Sequence, residues 1–104
     1  MDTIIRETLR PFGITRNYRG YPQTVRAIAL VLEDESRLLN VTEEIYEVVA
    51  LQTRCHPSNV ERNIRTVITV VWEQNRAMLE GLARRPLLQR PCAAQFLSLS
   101  LIHI

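Results

Sequence analysis

Residues 40–75 read NVTEEIYEVVALQTRCHPSNVERNIRTVITVVWEQN, a stretch with two helical patterns separated by a short polar break. Asn40 suits an N-cap, and Glu43 lies three positions on as its reciprocal capping partner. Ile45, Val48, Val49 and Leu51 then recur at helical spacing. The pattern gives way to the polar cluster Gln52-Thr53-Arg54-Cys55-His56-Pro57. Ser58 with Glu61 three residues later fits a second S-x-x-E start and predicts a helix over about 59–75. Two helices joined by so short a turn have the geometry of a helix-turn-helix, although any helical hairpin shares that spacing.

The second helix carries more information than the turn. At about 100° per residue, Val60, Ile64, Val67, Ile68 and Val71 fall on one aliphatic arc. Ser58, Asn59, Glu61, Arg62, Arg65, Thr66 and Thr69 fill the opposite arc. These side chains suit base edges: Arg can donate two bonds to guanine, and Glu can accept from cytosine. The N-terminal part of a recognition helix enters the groove most deeply, and Glu61, Arg62 and Arg65 lie there. The plainer alternative is a solvated face on which Glu61 and Arg65 form an ordinary i,i+4 pair.

Outward from this core stretch, residues 2–10 predict a helix with Ile4, Ile5 and Leu9 on one face, ended by Pro11. PFGITRNYRGYP (11–22) is a loop, because Pro11, Gly13, Gly20 and Pro22 fall within it. Pro22 suits the first position of a helix over 22–33, whose apolar residues are Val25, Ile28, Ala29 and Leu32. Leu38 and Leu39 are expected to pack beyond the acidic EDES segment. Residues 77–82 extend helical structure after a break, and a second loop runs from Arg84 to Pro91. With no useful alternating pattern, the chain is expected to be all-α, with winged or strand elements absent.

Length and composition agree with one domain: 104 residues, 46% hydrophobic and 23% charged. No apolar run is long enough to span a membrane, and Asp2 and Glu7 argue against a secretory signal. Two cysteines make no disulfide framework, so a reducing cytoplasm is expected. All 13 basic residues are Arg, which fits either coding bias or a use for forked guanidinium donors. The net charge of +2 is unevenly spread, with an acidic segment over 31–53 between two basic ones.

Other chemistry finds little support. Cys55, His56, Cys92 and His103 do not have the spacing of a zinc finger, so neither metal nor cofactor is expected. Adjacent Cys55 and His56 are poorly placed for a dyad, and no Gly-rich phosphate loop is present, so an enzyme is not expected. Trp72 reads as a packing residue and Cys92 as a small hydrophobe.

Three stretches carry a resemblance to a known family: GITRNYRGYPQTVRAI (13–28), HPSNVERNIR (56–65) and TVITVVWEQN (66–75). Together they resemble the C-terminal effector domain of the stage zero sporulation protein A family of response regulators, over roughly residues 3–97. V-E-R-x-I-R followed by Trp is the most specific part. The resemblance implies about six helices, with the helix-turn-helix at the third and fourth. It also implies binding to a TGTCGAA-type box on double-stranded DNA, usually as tandem homodimers, and contact with the RNA polymerase sigma subunit. Glu61, Arg62 and Arg65 match recognition-helix positions that the family uses on DNA, and Ser58 matches a phosphate or cap position. Asn59, Thr66 and Arg54 complete the expected DNA-binding set, and Arg16 or Arg19 is a further candidate for phosphate contact.

Three departures qualify the match. Thr66 stands where the family commonly has His. The receiver domain that precedes the effector in the family is absent from these residues, so an effector without its phosphorylation switch is expected. The final SLSLIHI (98–104) does not continue the family's charged amphipathic helix, so the domain is set at 1–97 and 98–104 is an atypical, candidate non-native tail. A protein-interaction module of the same fold that has lost DNA binding is the alternative function.

Overall fold

The computed structural model describes residues 5–7, 10, 20–84 and 86–102, the last three of these and residue 82 by backbone alone. Among the described residues every regular element is helical and none is a strand. Of the first expected helix, residues 5–7 are helical and Ile5 is fully buried. Ile4, Leu9 and the 11–19 loop with Arg16 and Arg19 lie outside the described residues.

Helix α1, Tyr21–Glu33, starts one residue before the expected position, with Pro22 in its first turn. Gly20 has no side chain to cap with, and its carbonyl accepts from both the backbone N–H and the hydroxyl of Thr24. Tyr21, Val25, Ala27, Ile28, Leu30 and Val31 are buried, so α1 lies at the centre and touches each later element. It stops at Asp34, an extended residue whose carboxylate accepts from the backbone N–H and hydroxyl of Ser36. Those two bonds hold the Asp34 carboxyl below the ordinary aspartate range.

A 3-10 turn, Glu35–Asn40, leads into a π turn, Thr42–Tyr46, which continues without a break as α2, Glu47–Thr53. The expected capping pair at Asn40 forms: its Oδ1 accepts from the Glu43 N–H at 3.4 Å, and its Nδ2 donates to the Glu43 carboxylate at 3.2 Å. The π turn adds a residue to the helical repeat and rotates α2 relative to it, so the apolar pattern read at a uniform 3.6 residues misplaces Leu51. Leu51 is 82% exposed although its spacing put it on the core face, and Ile45, Tyr46, Val49 and Ala50 form that face instead. Leu39, expected to pack, is 90% exposed, whereas Leu38 is partly buried against the core.

Helix α3, Pro57–Ala83, is the longest, and it is interrupted where the sequence predicts a break, at Asn75 with φ −137° and ψ 39°. Its start corrects the expected cap. His56 is the N-cap and Ser58 is already inside the first turn. Proline at the first helical position needs no N–H bond and forces the preceding residue to be extended. Pro57 therefore sets the boundary, and the His56 Nδ1 accepts the Ser58 backbone N–H at 3.2 Å. The aliphatic arc lies as read: Val60, Ile64, Val67, Ile68 and Val71 are each at most 2% exposed.

After Arg84 the chain is fastened at Leu87, whose N–H donates to the Glu80 carboxylate at 2.6 Å and whose carbonyl accepts from Arg76. Helix α4, Ala93–Ile102, returns against α1 and α3 with Phe96, Leu97 and Leu99 buried. Trp72 is partly buried against the core, with the Arg76 guanidinium 4.4 Å from its ring centre. Cys92 is exposed rather than packed as a small hydrophobe, because it precedes α4 on the surface segment that carries Arg90.

Candidate nucleic-acid interface

The turn between α2 and α3 is three residues long, Arg54 to His56. Arg54 reverses the chain from the left-handed region, φ 55° and ψ 48°, and its N–H bonds the Ala50 carbonyl. The Cys55 N–H also reaches the Ala50 carbonyl, at 3.0 Å. These bonds satisfy the open end of α2 while the chain turns into α3. The Cys55 sulfur lies 3.1 Å from the Thr53 hydroxyl and accepts from the Gln23 amide at 3.3 Å.

Gln23 also fixes α3. Its Oε1 accepts from the Asn63 Nδ2 at 2.7 Å, across forty positions of sequence. Its side chain is 9% exposed, and a buried amide without partners would cost roughly 1–3 kcal/mol. One glutamine thus ties α1 to both the turn and the second helix. Gly20 allows the close approach: a Cβ there would stand 2.5 Å from the Asn63 carbonyl oxygen.

On the opposite side of α3, Ser58, Asn59, Arg62, Arg65 and Thr66 are exposed and Glu61 is half-buried. Glu61 and Arg65 form an ion pair at 3.6 Å. Exposed i,i+4 pairs contribute only about 0.3–0.5 kcal/mol, so either side chain can leave the other at little cost. Thr66 and Thr69 return their hydroxyls to the carbonyls of Arg62 and Arg65, at 3.0 and 2.9 Å. Arg54 is exposed at the turn, at the opposite end of this face from Thr69. The expected set of Arg54, Ser58, Asn59, Glu61, Arg62, Arg65 and Thr66 therefore lies along one turn and the first turns of one helix.

Between α3 and the segment before α4 lies a small cleft lined by Tyr46, Glu61, Arg65, Ile68 and residues 90–93. Burial pushes the Tyr46 phenol above its ordinary value, and the nearby Glu61 carboxylate adds to that. The phenol therefore faces the cleft as a neutral hydroxyl at physiological pH. Arg90 was not singled out from the sequence; its Nη1 donates to the Thr69 hydroxyl at 2.6 Å. Neither that bond nor the Gln23–Asn63 bond leaves a periodic signal in the chain.

Among the described residues, no group of His, Cys, Asp and Glu could hold a metal ion. No helix among them is long and apolar enough to cross a membrane. Against models of known protein families, residues 5–103 match the sporulation initiation factor Spo0A C-terminal domain. The matched range includes the whole helix-turn-helix, the kinked half of α3 and all of α4. The chain belongs to this Spo0A C-terminal family, the DNA-binding effector domains of sporulation-initiation regulators.

Proposed function

We propose that the domain binds double-stranded DNA sequence-specifically, with the first turns of α3 in the major groove. The observation that carries this reading is the two-sided construction of α3. Its aliphatic side is locked into the core and bonded to α1, while its other side presents two arginines, a glutamate and short polar groups to solvent. A helix held in this way delivers its outward side chains to base edges without first having to be ordered.

In this arrangement Arg62 and Arg65 donate to guanine edges and Glu61 accepts from cytosine. Ser58, Asn59 and Thr66 approach the groove walls, and Arg54 meets the phosphate backbone beside the turn. The target is a TGTCGAA-type box, occupied by tandem copies of the domain in the cytoplasm, where bound domains meet the sigma subunit of RNA polymerase. The output is transcriptional control of sporulation.

Alanine substitution tests the base assignments on a panel of duplexes, each changed at one position of the box. Arg62→Ala and Arg65→Ala should each cost about 1–3 kcal/mol on the intact box and flatten discrimination at one base pair. An equal loss on every duplex would mark the side chain as a phosphate contact and contradict its assignment.

A further inference from the structure

We infer that Arg90, on the segment before α4, is a DNA-phosphate ligand that extends the contact surface of α3 beyond its recognition residues. This inference rests on the proposed DNA binding by α3 and assigns that surface a contact from a second element.

The placement comes from three observations. First, Arg90 is bonded to Thr69, which lies one helical turn past Arg65 on the same side of α3. At 1.5 Å per residue, Thr69 lies about 12 Å along the axis from Glu61. A helix that enters the major groove by its N-terminal turns has there come back out to the sugar-phosphate wall. Second, the guanidinium is held ready. Thr69 accepts from Arg90 and donates to the Arg65 carbonyl, so the bonds form a chain from the 90–93 segment to the recognition residues. The same segment is fastened upstream, where Leu87 is 5% exposed and both its backbone groups are bonded to side chains of α3. Pro91 beside it is buried.

Third, the charge suits an anion. Arg90 is exposed, and the bond to Thr69 engages one of the five N–H donors of its guanidinium. No carboxylate among the described residues forms an ion pair with it. Glu61, the acid lining the same cleft, is paired with Arg65. A neutral hydroxyl fixes the position of Arg90 without cancelling its charge. A phosphate needs both a fixed donor and an uncompensated charge.

Fluorescence anisotropy on box and scrambled duplexes across a salt series tests this with Arg90→Gln and Arg90→Lys, and thermal melts check that both variants fold. Arg90→Gln should weaken binding to both duplexes by a similar factor, roughly three- to tenfold, and make the slope of log K against log salt shallower by about 0.9. Arg90→Lys should retain the wild-type slope. A slope unchanged in Arg90→Gln, or a loss confined to the box, would overturn the phosphate assignment while leaving the recognition helix in place. Failure of the folded wild-type domain to bind either duplex would overturn the DNA-binding reading, and the Arg90 inference with it.

Discussion

At Gly20 a single added methyl group has no room. The Cβ of an alanine would meet backbone, the Asn63 carbonyl oxygen at 2.5 Å, so relief requires moving α1 from α3. Gly20→Ala should therefore cost about 1–3 kcal/mol, read as a lower urea midpoint at an unchanged m-value. Arg54 presents the opposite case. Its left-handed backbone is unfavourable for any residue with a Cβ, and Gly at the end of a helix removes that cost. Arg54→Gly should raise stability by about 0.5–1 kcal/mol, the gain reduced by the extra freedom of glycine in the unfolded chain. If Arg54 touches phosphate, the same variant should also bind all DNA sequences more weakly. Higher melting temperature with lower affinity would separate backbone strain from electrostatic contact. Neither the approach of Asn63 to Gly20 nor the left-handed angle at Arg54 shows in residue type, because both are set by how the helices meet.

At the scale of the element, α3 was legible where periodicity governs and illegible where a neighbour does. The arc from Val60 to Val71 follows from 3.6-residue spacing, since each of its members must meet the core. The start of the helix obeys a different rule. S-x-x-E favours Ser58 as cap, but Pro57 restricts His56 to an extended conformation, and the helix begins at the proline. The two assignments predict different stabilities. Ser58→Ala should change stability by less than about 0.5 kcal/mol, whereas His56→Ala, which removes the acceptor for the Ser58 N–H, should cost about 1 kcal/mol. A pair of thermal melts distinguishes them. In α2 the π turn defeats a uniform repeat, and Leu51 turns outward as a result. The Gln23–Asn63 bond lies beyond any local pattern, because two amides forty residues apart meet only once the helices pack.

For the whole molecule, the aliphatic arcs implied an all-α core, and the core forms where α1 crosses the other helices. The far end was harder to read, because the apolar run in α4 has little helical asymmetry to separate a buried from an exposed face. Leu97 and Leu99 are both buried, and α4 continues to Ile102. The origin of residues 98–104 is a question for the reading frame, which sequencing of the locus through residue 98 tests. Their use by the fold is a separate matter. Deleting 98–104 removes Leu99 and the last turns of α4, and should lower stability by about 2 kcal/mol in chemical denaturation.

The proposed DNA recognition depends on the entire assembly, because α1, the turn and the 86–92 segment together hold α3 in place. The most direct measurement is fluorescence anisotropy of the folded domain with a TGTCGAA-type duplex and a scrambled duplex, each at two salt concentrations. Tighter binding to the box, falling as salt rises through release of counterions, is the expected result. Equal affinity for the two duplexes, or binding to neither, would contradict sequence-specific recognition by α3.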